Sequence, residues 1–150
     1  MGKPPKFTTL VFSPLSQRAR STGDHKPWVD KPWVGLHDGR RWVWRTNLAY
    51  HPGRINFFKP LIKHRRQLRL DAILVVTDPA PFTASRAAVS IANALGFAWD
   101  RPVVSISTQD LDRTSPSLLV ERALTQRKGP AKYGFSLADR ALPHYNRKPY

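Results

Sequence analysis

The chain has 150 residues, of which 41% are hydrophobic, and 25 Lys and Arg against 10 acidic residues give a formal net charge of +15. These values predict one folded domain with its own core and exclude a disordered polyelectrolyte. The absence of cysteine excludes disulfides and thiolate metal sites. No segment approaches the ~20 apolar residues of a membrane span, and Met1–Phe7 lacks a hydrophobic signal core, so we expect a cytoplasmic protein.

The first third of the chain predicts three strands. Phe7–Phe12 is rich in β-forming residues, and a loop rich in proline and charge follows it over residues 13–31. Trp33–His37 and Arg40–Leu48 form a predicted hairpin around Asp38-Gly39, because this dipeptide tolerates the positive φ of a two-residue turn. Strand alternation predicts that one face of the second hairpin strand carries Trp42, Trp44 and Thr46.

The middle of the chain predicts a first helix. Asn56 can cap a helix that runs to about Leu68. Helical spacing predicts a stripe that faces the core, formed by Phe57, Phe58, Leu61, Ile62, Arg65 and Leu68.

The following segments alternate between strand and helix patterns. Ala72–Thr77 is a continuous apolar run, typical of a strand buried on both faces, and Val103–Ser107 is a second strand. The helix Phe82–Ala98 between them completes a right-handed crossover with parallel strands. A Ser115 cap with Pro116 in the first turn predicts a last helix that ends near Arg127.

This element order predicts an α/β fold with a mixed five-stranded sheet and flanking helices, the actin-like or ribonuclease-H-like half-domain. A doubly wound parallel sheet is the alternative, and the predicted antiparallel hairpin argues against it. We expect residues 1–127 to form this single domain and residues 128–150, where glycine, proline and basic residues dominate, to form a basic tail.

No catalytic site is predicted. The first strand contains no acidic residue, whereas a ribonuclease H site needs several acids at strand ends. Asp71 and Asp78 bracket a strand and lie more than about 20 Å apart along it, too far to share a metal ion. The five histidines lack ligand spacing, and no glycine-rich phosphate loop is present. We therefore expect no enzyme activity, no metal and no cofactor.

The helix Phe82–Ala98 carries a single charged residue, Arg86, although a helix on a sheet normally turns a charged face to water. At 100° per residue, the face toward the sheet is formed by Ala84, Ala87, Ala88, Ile91, Ala92, Leu95 and Ala98. A covering partner, self-association through this face, or the chain's own tail would explain the uncharged opposite side. The predicted interface residues on that opposite side are Ser85, Arg86, Val89, Ser90, Asn93 and Phe97.

Basic residues concentrate on the first helix and at the start of the tail. Like charges three and four residues apart repel each other, and bound phosphates relieve this repulsion. The alternative is a solvated basic face. The predicted RNA-binding residues are Lys59, Lys63, Arg65, Arg66, Arg69, Arg127 and Lys128.

The segment Val75–Arg86 resembles the Gly-Pro-Gly-Ser-Phe-Thr-Gly-Leu-Arg signature of the TsaB (YeaZ) family. The family's first-strand Asp-Thr-Ser is replaced here by Phe12-Ser-Pro14, and Leu142–Arg147 is similar to its closing Pro-X-Tyr-X-Arg. The resemblance covers roughly residues 7 to 110 and residues 142 to 147. Most of the second lobe of the family's proteins has no counterpart in this sequence. Four signature residues match, namely Pro79, Phe82, Thr83 and Arg86, whereas Asp78, Ala80 and Ala84 replace its three glycines.

The resemblance implies an actin-like fold and a non-catalytic subunit. Such a subunit pairs with a TsaD-like catalytic subunit and acts with a TsaE-like ATPase in the threonylcarbamoyl modification of tRNA. The pairing would use a bundle of two helices, here Asn56–Leu68 and Thr83–Ala98. From another class, the basic charge and the five tryptophans also suit a structural RNA-binding or ribosome-associated protein with a borrowed fold of this kind.

Overall fold

The computed structural model describes residues 7–14, 32–48, 56–65, 69–77 and 82–126. The predicted tail, residues 128–150, and most of the predicted loop over residues 13–31 lie outside these ranges. The division of the chain at residue 127 therefore stays a prediction. The described elements are β1 Thr9–Ser13, β2 Trp33–His37, β3 Trp42–Asn47, α1 Phe58–Lys63, β4 Ala72–Val76, α2 Phe82–Trp99, β5 Val103–Ile106, α3 Thr108–Arg113 and α4 Pro116–Thr125.

The five strands form one mixed sheet in the order β3-β2-β1-β4-β5. β1 pairs antiparallel with β2, and β2 pairs antiparallel with β3. β1 pairs parallel with β4, and β4 pairs parallel with β5. Three antiparallel strands followed by parallel ones is the predicted ribonuclease-H-like or actin-like arrangement, which is confirmed. The doubly wound alternative is wrong, since β2 and β3 run against β1.

Successive side chains of each strand point to opposite sides of the sheet, and helices pack on both sides. On one face, α1 and α2 pack over a cluster that includes Leu10, Phe12, Ile73 and Val75. On the other face, α4 packs over a cluster built from Val11, Ala72, Leu74, Val76 and Ile106. All five residues of β4 are buried, which confirms the prediction made from its continuous apolar run.

The α1 segment begins as predicted and ends earlier. The Asn56 Oδ1 atom accepts hydrogen bonds from the backbone N–H groups of Phe58, at 3.0 Å, and Lys59, at 3.2 Å. The α-helix ends at Lys63, earlier than the expected end near Leu68, and residues 66–68 lie outside the described residues. The helix has fewer than two turns, and Phe57 and Leu61 join the core cluster while Pro60 is also buried. The predicted core positions Phe58 and Ile62 are instead 44% and 65% exposed.

The last two helices are both capped by serine. Ser115 Oγ accepts from the backbone N–H of Leu118 at 3.4 Å, and α4 ends at Thr125, close to the predicted end. The short α3 was not predicted, although Ser107-Thr-Gln-Asp110 carries a capping-box signal. Ser107 Oγ accepts from the N–H of Asp110 at 3.0 Å, and Asp110 Oδ2 accepts from the N–H of Ser107 at 3.3 Å.

The hairpin turn is built around one aspartate. Asp38 Oδ1 accepts from the backbone N–H groups of Arg40, at 2.8 Å, and Arg41, at 2.9 Å. These bonds hold the pKa of Asp38 below its usual value. Gly39 has φ of 94°, a conformation that glycine adopts without steric cost. The turn is wider than the predicted two residues, since β2 ends at His37 and β3 begins at Trp42.

A β-bulge separates the two tryptophans of β3. Leu36 pairs with Trp44 and His37 pairs with Trp42, so Val43 is the extra residue on the bulged strand. One inserted residue turns the preceding side chain to the other face. Trp44 therefore packs against the α1–α2 side of the sheet and Trp42 against the α4 side. The prediction that both lie on one face is wrong.

His37, at the end of β2, predicts a pH-dependent stability. The side chain is buried against the Trp42 ring, and its Nδ1 accepts from the Gly39 N–H at 3.1 Å, so the imidazole is neutral. Burial lowers its pKa, against a smaller opposing effect of Asp38. The imidazole of His37 binds a proton more readily in the unfolded chain than in the folded one. The contribution of His37 to the free energy of unfolding is therefore complete above about pH 6.5 and declines as the pH falls.

The measurement is urea unfolding between pH 5 and pH 7.5, in wild type and in His37→Asn. The asparagine Oδ1 can replace the imidazole Nδ1 as an acceptor for the Gly39 N–H, and it does not titrate in this range. We expect a shallower pH dependence in the variant. Parallel curves for the two proteins would show that His37 does not control the stability in this range.

Candidate functional site

The long helix α2 lies close to the sheet through small side chains. Ala84, Ala88 and Ala92 are fully buried, as predicted for the face toward the sheet. Ile91 and Leu95 flank this row and are half-buried against the same core cluster. The predicted sheet-facing Ala98 is exposed, because it lies beyond this row near the end of the helix.

The opposite side of α2 differs from the prediction at two positions. Ser85 and Val89 were expected on the outer face, but they are only 2% and 5% exposed, and Val89 belongs to the core cluster. That cluster also contains Phe57, immediately before α1, and Leu61 of α1, which lies on the same face of the sheet, so the apolar core beside α2 includes more than the strands. The core therefore extends further around α2 than one sheet contact requires.

The other predicted interface residues lie toward solvent. Arg86 and Ser90 are exposed, Asn93 is half-buried, and Phe97 is 75% exposed. The outward side of α2 is thus narrower than predicted. Ala94 is also exposed between these residues, so the side chains around Phe97 are small or apolar.

Exposed apolar side chains concentrate on the two helices of one sheet face. Among the described residues, large exposed hydrophobic side chains occur on β3, at Val43, and on α1 and α2. We call Phe58, Ile62 and Phe97 the apolar helix residues; they are 44%, 65% and 75% exposed. Large apolar side chains this exposed on a highly charged protein are candidate contacts for another protein.

The structure describes four of the seven predicted RNA-binding residues. Lys59, Lys63 and Arg65 are exposed on or just after α1, as a phosphate-binding or solvated face requires. Arg69 is exposed immediately before β4 and lines a cavity at that edge of the sheet. Arg66, Arg127 and Lys128 lie outside the described residues. His64, which lies next to Lys63 and Arg65 in the sequence, stacks on the Trp44 ring with the two ring centroids 4.4 Å apart. Spacing along the chain does not predict this contact.

Asp71, one of the two aspartates that bracket the predicted strand, makes structural contacts. Asp71 Oδ2 accepts from the Thr8 N–H at 2.7 Å and so joins the starts of β1 and β4. Asp78 lies outside the described residues. Within the described ranges, the His, Asp and Glu side chains form no group of three that could hold a metal ion. No helix in the described part of the chain is long and apolar enough to cross a membrane.

Comparisons with known proteins give a likeness to solved structures. No protein-family model matches the chain, and no curated protein matches it. Among solved structures, YeaZ from Pseudomonas aeruginosa is similar, with 23% sequence identity and a TM-score of 0.43. The likeness covers 67% of this chain and 44% of that chain, so this chain spans less than half of that structure.

Proposed function

We propose that this chain is a non-catalytic scaffold subunit of a tRNA-modifying assembly. In this proposal it pairs with a TsaD-like catalytic protein through α1 and α2, in the cytoplasm, and serves the threonylcarbamoyl modification of adenosine. The observation that carries the proposal is the exposure of the three apolar helix residues, Phe58, Ile62 and Phe97.

The energetics favour a helix of another protein at this surface. Full burial of one large apolar side chain is worth about 1.5–3 kcal/mol. Ser90 and Ala94 are exposed on the same helix as Phe97, and side chains of this size let a partner helix approach closely. The described charged side chain on the outward side of α2 is Arg86, so few charges need desolvation.

The chemistry of the partner is proposed from the signature resemblance. Arg86, one of the matching signature residues, is exposed on α2. The strand β1 is Thr-Leu-Val-Phe-Ser, without an acidic residue, which supports a subunit that leaves catalysis to its partner. A TsaE-like ATPase and tRNA complete the proposed assembly on the same basis.

The test is co-expression of the full chain, carrying an affinity tag, with the TsaD-like protein of the same organism. We expect a stoichiometric complex in size-exclusion chromatography with light scattering. A homodimer without the second protein would instead indicate self-association. Metal-dependent nucleotide or RNA hydrolysis by the purified chain, abolished by Asp71→Asn, would contradict the non-catalytic role.

A structural RNA-binding or ribosome-associated protein is the second candidate. It is favoured by the net charge of +15 and by the exposure of Lys59, Lys63 and Arg65 near one another in sequence. Co-purification of ribosomal RNA and ribosomal proteins, in place of a TsaD-like protein, would support this function over the first.

RNA binding through α1 predicts a specific salt dependence. The double variant Lys59→Glu/Lys63→Glu should bind RNA more weakly and lower the slope of log affinity against log salt by about 0.7 per lost phosphate contact. The matched control, Arg40→Glu/Arg113→Glu, reverses the same number of charges at exposed positions on other elements. Equal slopes for the two variants would identify the basic face of α1 as solvated.

A further inference from the structure

A cavity of about 590 Å³ opens at the edge of the sheet where the parallel strands β1, β4 and β5 begin. Its volume lies within the range of about 300–1,000 Å³ that is usual for small-ligand sites. The cavity is distinct from the apolar helix residues. It is lined by Thr8, Arg69, Leu70, Asp71, Trp99 and Arg101.

Backbone and side-chain hydrogen bonds fix the floor of this cavity. The Asp71 N–H donates to the Thr8 carbonyl oxygen at 2.8 Å, and the Thr8 N–H donates to Asp71 Oδ2 at 2.7 Å. This pair of bonds uses one carboxylate oxygen of Asp71. The other oxygen remains able to accept a hydrogen bond from a ligand.

The end of α2 brings an aromatic ring and a cation to the same cavity. Asp100 adopts a left-handed conformation with φ of 54°, and the Arg101 N–H donates to the Gly96 carbonyl at 2.9 Å. These features end the helix and reverse the chain. As a result Trp99, which is 38% exposed, and Arg101 both line the cavity.

The Arg101 guanidinium is held in place. Its Nε–H donates to the Leu70 carbonyl oxygen at 2.6 Å, and Nη1 donates to the Asp100 carbonyl at 3.4 Å. These bonds use two of the five N–H groups of the side chain. A guanidinium fixed in this way loses little side-chain entropy when its remaining donors bind an anion.

The lining therefore combines three chemical groups that together suit a nucleotide. Trp99 offers a ring on which a base can stack, and Asp71 offers an acceptor for an exocyclic amine. Arg69 and Arg101 offer guanidinium groups for a phosphate, and they outnumber the single carboxylate of the lining. The chain's net charge of +15 favours a polyanionic ligand for the protein as a whole.

We propose that this cavity binds one nucleotide of a single-stranded nucleic acid, with its base on Trp99 and its phosphate at Arg69 and Arg101. The site needs no protein partner and includes none of the apolar helix residues; of the predicted RNA-binding residues it includes Arg69 and none that lies on α1. It is therefore independent of the proposed scaffold function, and it does not depend on charge alone.

The experiment measures fluorescence anisotropy of a labelled ten-residue oligoadenylate RNA with the purified full chain. Trp99→Leu should weaken binding roughly tenfold, because leucine keeps apolar bulk without an aromatic face, whereas Trp99→Phe should stay within a few-fold of wild type. Arg101→Gln should weaken binding several-fold, and Arg113→Gln should not. Arg113 is an exposed arginine on α3, which follows the other end of β5.

Competitors distinguish the sources of the same ligand chemistry. The corresponding oligodeoxyadenylate should compete within a few-fold, and duplex RNA should compete poorly because its bases are paired. Free adenosine monophosphate that competes as well as the oligonucleotide would assign the cavity to a free nucleotide and overturn the proposal. Equal affinities of Trp99→Leu and Trp99→Phe would overturn it too.

Folding and partner binding are separated by two further measurements. Trp99 is partly exposed, so the Trp99→Leu and Trp99→Phe pair remains decisive if Arg101→Gln lowers the melting temperature. Trp99→Leu should still form the complex with a TsaD-like protein, and Phe97→Glu should still bind the oligonucleotide. Loss of oligonucleotide binding in Phe97→Glu would show that the two sites are one surface, and would overturn an independent cavity.

Discussion

Val89→Arg is expected to unfold the chain or to lower its free energy of unfolding by at least about 3 kcal/mol, since an unpaired cation would be buried. Val89 is 5% exposed and belongs to the cluster that α1 and α2 form with the sheet. Its neighbour Ser90 is exposed, so Ser90→Arg should leave the free energy of unfolding within about 0.5 kcal/mol of wild type. Urea unfolding followed by circular dichroism measures both.

The two adjacent positions test the orientation of α2 directly. They receive the same side chain on the same helix, so differences in helix propensity are small and burial decides the result. A stable Val89→Arg protein together with an unfolded Ser90→Arg protein would mean that α2 is rotated by about one residue, or 100°.

The topology could be predicted because several short patterns agree. The continuous apolar run before Thr77 predicts a strand with both faces covered, and the Asp38-Gly39 dipeptide predicts an antiparallel hairpin. Serine and asparagine caps locate helix starts through hydrogen bonds between residues that are close in sequence. Each pattern depends on local chemistry, which the sequence contains in full.

The errors arise where distant segments decide the structure. The bulge at Val43 depends on how β3 pairs with β2, and it turns Trp42 away from Trp44. Helix α2 is rich in alanine and nearly uncharged, so its periodicity defines the buried side only weakly. Val89 is buried in a cluster to which α1, α2 and the sheet contribute, and no local pattern contains such long-range packing.

The basic residues of α1 and the cavity also differ in how far the sequence alone can predict them. The basic residues of α1 are neighbours in sequence, so their exposed face could be predicted from spacing. The cavity at the start of the parallel strands joins three separate segments. The first contributes Thr8, the second Asp71 and its neighbours, and the third Trp99 and Arg101. Only the pairing of β1, β4 and β5 brings these segments together, so spacing along the chain gives no signal for it.

Ile62→Glu/Phe97→Glu is expected to abolish the proposed complex with a TsaD-like protein while the chain stays folded. The two side chains are 65% and 75% exposed, so their replacement removes little of the chain's own packing. In the complex, two carboxylates would lose hydration against an apolar partner surface, which costs several kcal/mol per ion. A loss of about 4 kcal/mol weakens binding roughly a thousandfold. Isothermal titration calorimetry of wild type and variant measures this change.

Val43→Glu is the control, because Val43 is an exposed apolar residue, 42% exposed, that lies on the edge strand β3 and on neither helix. It introduces one carboxylate where the double variant introduces two, so a general electrostatic effect on association would appear in both variants, at about half the size in the control. We expect affinity within a few-fold of wild type for Val43→Glu. If both proteins lose the partner equally, the apolar helix residues do not form the interface. If neither loses it, the partner binds elsewhere, and the exposed side chains of α1 and α2 require another explanation.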